Sequence, residues 1–232
     1  DELNPSQTMS LYFETRRAWL RGHLRTFMSF KKGQGFTSGN ISDNKVDSDV
    51  GSIALVLSKA ANIIQLSLCQ AGQLFLEVNG DLPLFYSTVL SSLPGSQLFG
   101  GIPNPEEEVK LWKLHWEKLE TRTTCLTGEY ISETCTSWIH TCRSDVMDES
   151  KVTLELVGRC KELERIETLI KSECDSKKAL KDSTEWLEIA FGKAIESPWD
   201  YMSALLLKDP LNLWNILFED IFIDRAKEII IN

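Results

Sequence analysis

The residues of this 232-residue chain that are best suited to chemistry are two cysteines and a histidine that lie close together in the sequence. Cys135, His140 and Cys142 are residue types that bind zinc, but the short C-x2-4-C spacing that brings two thiolates to one ion is missing. The chain's three histidines lie in separate segments, and it has no nucleophile elbow, H-E-x-x-H motif or P-loop. We therefore expect no catalytic residue, no metal site and no cofactor, and we expect that the protein is not an enzyme.

Three consecutive glutamates, 106–108, are the carboxylates that acid–base catalysis would need. They follow Asn104 and Pro105, a capping residue and a proline suited to the first helical position. Negative charge is favourable in the first turn of a helix because the helix dipole is positive there. A structural role therefore explains the glutamates without catalysis.

Positive charge is concentrated in the first predicted helix. Residues 11–32 include six basic residues and one acidic residue, although the net charge of the chain is −9. The candidate partner-binding residues of this segment are Arg16, Arg17, Arg21 and Arg25. Two interpretations remain open: the arginines form a solvated or ion-paired face against the acidic remainder of the chain, or they contact anionic lipid or an acidic protein surface.

The composition is that of a globular protein, with 42% hydrophobic and 25% charged residues. Its 34 acidic and 25 basic residues disfavour nucleic acid as a partner, because a phosphate backbone attracts the opposite sign of charge.

The six cysteines are scattered through apolar segments, and we interpret them as reduced and cytosolic. The chain starts at Asp1 without a signal peptide, which suggests a piece of a longer protein.

Apolar residues recur at three- and four-residue steps through most of the chain, which predicts an all-α fold. We expect elongated, stacked antiparallel helical bundles with short connections. Three regions are predicted: a basic amphipathic helix at 1–30, a flexible loop at 31–49 and a continuous helical bundle at 50–232. Helices are expected at 6–30, 53–78, 104–126, 132–147, 151–174 and 176–192, with a short apolar segment at 81–93, and two more helices start at Ser197-Pro198 and Asp209-Pro210.

The second predicted helix has no charged residue between positions 60 and 76, so a membrane span has to be considered. Polar side chains argue against a span, because each would need a hydrogen-bond partner in hydrocarbon. They are Asn62, Gln65, Ser67, Gln70 and Gln73. We expect them to face water on one side of a helical bundle.

The helix predicted at 151–174 has a near-heptad apolar seam. Its members are Val152, Leu156, Cys160, Leu163, Ile166 and Ile170. We expect this helix to pack lengthwise against another helix, and Leu163 and Ile166 are its candidate partner-binding residues. Most of the chain's seven tryptophans are expected to pack between helices, and one or two of them to anchor a partner.

Three strings of the sequence are distinctive: PLFY at 83–86, QLFGGIPNPEEEVKLW at 97–112, and DPLNLW through FED at 209–220. They resemble subunit 1 of the conserved oligomeric Golgi complex, in its plant-type form. Residues 1–19 and 186–200 are also similar to that subunit, so the resemblance covers most of the chain except 31–49 and 130–174. Since the full-length subunit is several times longer, the resemblance implies an internal fragment.

The resemblance implies a helical rod of the multisubunit-tether type and a peripheral protein on the cytoplasmic face of the Golgi membrane. Such a tether captures vesicles in retrograde intra-Golgi transport and so keeps glycosylation enzymes in their cisternae. The implied partners are the other subunits of the complex and also vesicle fusion and coat proteins. The resemblance implies no catalytic residues. The alternative function is a peripheral membrane-surface module that uses the basic first helix.

Overall fold

The computed structural model describes residues 4–33, 43–78, 80–91, 125–173, 198–207 and 212–231, together with residues 186 and 188. Helices account for 88% of these residues, which include no strand and one isolated bridge between Val78 and Asp81. The all-α prediction is therefore confirmed. The string at 97–112 and nearly all of the helices predicted at 104–126 and 176–192 lie outside the described residues, and Cys125 and Leu126 are described but not helical.

The described part of the chain contains seven α-helices. They are α1 Pro5–Gly33, α2 Asp43–Phe75, α3 Leu84–Ser91, α4 Gly128–Leu154, α5 Cys160–Glu173, α6 Pro198–Leu207 and α7 Asp220–Ile231. A π-helical turn, Asn215–Glu219, leads into α7.

Polar side chains cap the helices where the sequence changes from loop to helix. The Asn4 side chain accepts hydrogen bonds from the backbone N–H of Ser6, at 3.0 Å, and from its hydroxyl, at 2.6 Å. Pro5 follows as the first residue of α1, the position at which a missing N–H costs nothing. The Thr127 hydroxyl caps α4 in the same way, by accepting from the N–H of Tyr130 at 3.2 Å.

The loop predicted at 31–49 is too long at both ends. Helix α1 continues to Gly33 and α2 already starts at Asp43, while residues 34–42 lie outside the described part of the chain. Lys31 and Lys32 are good helix formers that suit the negative end of α1, and Asp43 suits the positive end of α2. An apolar period indicates only the part of a helix that packs against a core. The periodicity therefore gave helices that were too short.

The single helix predicted at 151–174 is wrong, because the chain turns between α4 and α5. The N–H groups of Leu156 and Val157 donate to the carbonyls of Thr153 and Leu154, at 3.2 and 2.9 Å, which tightens the end of α4. Gly158 follows in the break, and glycine is a poor helix former. Helix α5 starts two residues later.

Helix α2 is the centre of the fold, since it packs against α1, α3, α4, α5 and α6. Its segment Val50–Phe75 is long and apolar enough to cross a membrane, with a mean hydropathy of 1.5, and 72% of that window is buried inside the bundle. Contacts on several sides of the helix account for this composition. They also bury Gln65 and Ser67, so the expectation that these two side chains face water is wrong.

Hydrogen bonds fix the directions of α1 relative to two neighbours. The Tyr12 hydroxyl donates to the Ser67 carbonyl at 2.7 Å, and His23 Nε2 lies 3.3 Å from the Val56 carbonyl, so α1 is antiparallel to α2. The Trp138 indole N–H donates to the Phe13 carbonyl at 3.0 Å. Together with the ion pairs described below, this bond shows that α1 is parallel to α4, which the prediction of antiparallel bundles did not include.

Candidate functional site: the face between helices α1 and α4

Three of the four candidate arginines share one face of α1. Arg17, Arg21 and Arg25 are spaced by four residues, a little more than one turn of an α-helix. Asp145 and Glu149 have the same spacing on α4. Because α1 and α4 are parallel, the arginines meet the two carboxylates in register.

The arginines and carboxylates form a ladder of ion pairs. Arg17 makes a bidentate pair with Asp145, Nε to Oδ2 at 2.6 Å and Nη2 to Oδ1 at 3.0 Å. Arg21 Nε lies 3.8 Å from the same carboxylate, and Arg25 Nε lies 3.2 Å from Glu149 Oε1. The Asp145 side chain is only 11% exposed. Of the interpretations left open by the sequence, the structure therefore shows the ion-paired face for these three arginines.

The Asp145 carboxylate also raises the pKa of Arg17, mainly through their hydrogen bond. Arginine is already protonated in proteins, and the pair favours its charged form further. A bidentate arginine–carboxylate pair fixes orientation as well as distance. The ladder therefore aligns α1 with α4 together with the buried contact between Phe13 and Trp138.

Arg16 lies on a different side of α1 and contacts α2. Its guanidinium donates to the Gln70 side-chain carbonyl and lies over the rings of Tyr12 and Trp19, 5.1 and 5.5 Å from their centroids. Burial raises the pKa of Tyr12 to about 12. Trp19 is 49% exposed, so its ring is accessible to solvent, whereas Tyr12 is largely covered by α2.

Leu163 and Ile166 lie in the interior of the chain. Both belong to the hydrophobic core, with exposed fractions of 5% and 0%, and their helix α5 packs against α2 and α7. The prediction that this segment packs against another helix therefore holds for α5, which contains Leu163 and Ile166. As candidate partner-binding residues, however, they are corrected: the helix that covers them belongs to this same chain.

The seam predicted through residues 152–170 continues only in α5. Val152 and Leu156 are 46% and 45% exposed, and Cys160 is also exposed. The turn after α4 changes the direction of the chain, so a period that continues in sequence does not continue in space. Only Leu163, Ile166 and Ile170 remain on the buried side.

The two cysteines and the histidine of the zinc-binding types do not converge. Cys135 and Cys142 point into the core with no exposed surface, whereas His140 is exposed on the other side of α4. Burial raises the pKa of both thiols to about 12. Among the described residues, no group of three cysteine, histidine or acidic side chains is placed to bind a metal ion.

Alkylation is expected to separate the buried cysteines from the exposed one. The thiolate is the reactive form, and a pKa near 12 leaves almost none of it at pH 8. Iodoacetamide should therefore modify Cys160 first, while Cys135 and Cys142 react only as fast as the protein unfolds. Peptide mapping by mass spectrometry against time checks this, and equal rates for all three would contradict the packing of α4.

An open groove of about 470 Å³ lies beside the ladder, at the start of α4. Its floor consists of Phe13 and Trp138, whose ring centroids are 4.8 Å apart and whose residues are 4% and 6% exposed. Tyr130, Glu14 and Glu133 form part of its rim. The face between α1 and α4 therefore has a closed end, the ion-pair ladder, and an open end, the groove.

Sequence reasoning missed the α4 half of this face. Asp145 and Glu149 repeat the four-residue spacing of the arginines, and this match was a usable signal. It could not be assigned, because the chain has 34 acidic residues and many pairs share that spacing. Glu133 and Tyr130 carry no signal in the sequence at all, since only the packing of α1 beside α4 makes a groove of them.

Comparison with known proteins adds no relative: no protein-family model, no curated protein and no solved structure matches the chain.

Proposed function

We propose that the chain is a helical scaffold segment of a Golgi vesicle-tethering complex, a part of a protein similar to subunit 1 of the conserved oligomeric Golgi complex. In this role it holds partner subunits through its helix faces and serves retrograde intra-Golgi transport and the maintenance of Golgi glycosylation. It acts on the cytoplasmic face of the Golgi membrane as a peripheral protein. Its partners are the other subunits and, at the vesicle, fusion and coat proteins.

One observation supports a scaffold over a membrane-surface module. Arg17, Arg21 and Arg25 are paired with Asp145 and Glu149 inside the chain. A helix that uses its arginines to bind lipid must leave them free for headgroups, because the attraction comes from uncompensated charge. Here three of the arginines of α1 pair with carboxylates of α4, as in a rigid interaction segment.

The distinctive strings support the Golgi assignment, and the all-α fold agrees with the helical rods of such tethers. The assignment is tested by co-purification. The tagged chain, expressed in cells of its own species and crosslinked before lysis, should bring down the other subunits of the conserved oligomeric Golgi complex, identified by mass spectrometry. Their absence, in a preparation in which the tagged chain itself is folded and abundant, would reject the proposal.

Liposome binding is expected to be weak. If α1 met anionic lipid, each free arginine near the surface would contribute about 1 kcal/mol, and the binding would be screened by salt. With the arginines paired, the chain should stay in the supernatant with phosphatidylserine liposomes even at low salt. Salt-sensitive pelleting that Arg17→Glu with Arg21→Glu abolishes, in a variant that stays folded, would favour the membrane-surface module instead.

A further inference from the structure

The groove between the N-terminal parts of α1 and α4 has a rim of carboxylates that no described residue neutralises. Glu14 and Glu133 are exposed and line the groove, and neither forms an ion pair with any described residue. Arg17 also lines the groove, but it is bound in bidentate fashion to Asp145. The two glutamates of the groove therefore have no ion-pair partner among the described residues.

The hydroxyl groups that line the groove can also act as hydrogen-bond acceptors. Hydroxyl groups of its lining donate to carbonyls of their own helices: Ser10 to Ser6 at 3.0 Å, Thr134 to Tyr130 at 2.8 Å, and Thr141 to Ser137 at 2.9 Å. Their protons are used, while their oxygen lone pairs stay free to accept. Together with the two carboxylates, they make the groove rich in acceptors. A matching ligand brings hydrogen-bond donors and positive charge.

The aromatic residues select among cations. Tyr130 on the rim is 37% exposed, whereas Phe13 and Trp138 of the floor are 4% and 6% exposed, so Tyr130 offers its ring to a ligand. An arginine guanidinium is planar, stacks on aromatic faces, is weakly hydrated and has five N–H donors, whereas a lysine ammonium is a strongly hydrated point charge. The groove thus suits arginine better than lysine.

The dimensions indicate a segment of a protein and not a single small cation. The lining of α4 extends from Tyr130 to Thr141, which at 1.5 Å per residue is roughly 16 Å. That length accommodates about three turns of a helix. The overall charge of −9 adds long-range attraction for a basic partner.

We propose that this groove is a docking site for an arginine-bearing helical segment of a partner protein, with the arginines paired to Glu14 and Glu133 and stacked on Tyr130, above Phe13 and Trp138. The site goes beyond the scaffold function proposed above and does not depend on which complex contains the chain. Because its test uses a synthetic peptide, it can fail while co-purification with the Golgi subunits succeeds, or the reverse.

The test is a titration of the full ¹⁵N-labelled chain with an acetylated, amidated peptide of repeating Leu-Arg-Ala-Ala sequence. We expect chemical-shift changes at the Trp138 indole N–H and at the amides of 10–17 and 130–141, with little change elsewhere. The same peptide with citrulline in place of arginine keeps the shape without the charge and should not bind. An unaffected Trp138 indole would overturn the proposal.

The variant Glu14→Gln with Glu133→Gln should bind the peptide about tenfold more weakly, because two exposed ion pairs are lost. The matched control is Asp148→Asn with Glu164→Gln, which removes the same charge from exposed positions outside the groove. An equal loss in the control would mean non-specific attraction and overturn the proposal. Equally tight binding of spermidine would also overturn it, as it would show a site for small polyamines.

Discussion

Leu163→Asp is expected to lower the free energy of unfolding by about 4 kcal/mol, because it places an unpaired charge in the core. The Leu163 side chain is 5% exposed and belongs to the continuous core. The substitution buries a carboxylate without a partner and also removes apolar contacts between α5 and the helices around it. Urea denaturation followed by circular dichroism measures the change.

Two further variants keep this prediction testable if Leu163→Asp does not fold. Leu163→Ala should fold and lose roughly 2–5 kcal/mol, the cost of a cavity at a buried leucine. Thr168→Asp places the same carboxylate on the exposed side of α5 and should change the stability by less than about 0.5 kcal/mol. An unchanged thermal midpoint in Leu163→Asp would show that α5 does not pack as the structure describes.

Reversing two arginines of the ladder, Arg17→Glu with Arg21→Glu, is expected to destabilise the protein by about 2 kcal/mol. Asp145 then faces two carboxylates, although its own side chain is only 11% exposed. The effect is smaller than that of Leu163→Asp because the arginine side chains are 38% and 40% exposed, so solvent screens part of the repulsion. Urea denaturation of the variant beside the unaltered chain measures the loss.

A charge swap separates the ion pairs from the general effect of added negative charge. Asp145→Arg in the reversed background restores opposite charges across the α1–α4 face and should recover part of the loss. Lys59→Glu with Lys161→Glu makes the same change in net charge at exposed positions and should cost little. If the control pair destabilised the protein as much as the arginine pair, the ladder would not be what holds α1 to α4.

The ion pairs of the basic helix α1 bear on whether the helix can bind lipid. An arginine that is bound to a carboxylate cannot also attract a lipid headgroup without breaking that pair. The stability of the reversed variant and its liposome binding therefore measure the same charges in two ways. A large loss of stability with no change in pelleting fits a scaffold, and the opposite pattern fits a membrane-surface module.

The buried side-chain amide of Gln65 makes an unfavourable contribution to stability that only the structure reveals. The Gln65 side-chain carbonyl has no hydrogen-bond partner among the described residues, although Gln65 is 2% exposed. An unsatisfied buried acceptor generally costs about 1–3 kcal/mol. The polar residues of α2 argued against a membrane span in the sequence, but their surroundings could not be inferred, because α2 has neighbours on several sides.

The sequence by itself determined the helical class, most of the helices and the way some of them begin. Helix α1 starts at Pro5, one residue before the predicted start, with Asn4 as its cap, and α6 starts at Pro198 as predicted. The last helical segment differs, since the Asn212 side chain accepts from the N–H groups of Trp214 and Asn215 and caps it later than the expected Asp209 start. Caps and periodicity act within a few residues, and so they can be recognised without knowing the fold.

Only the tertiary structure decided which helices meet and what their faces do. The period through 151–174 continues across the turn after Leu154, so the sequence could not show that Val152 and Leu156 are exposed while Leu163 is buried. The arginines of α1 were visible, but their carboxylates lie more than a hundred positions away, at Asp145 and Glu149. Periodicity reports the side of a helix that is apolar, whereas the partner of that side depends on the path of the whole chain.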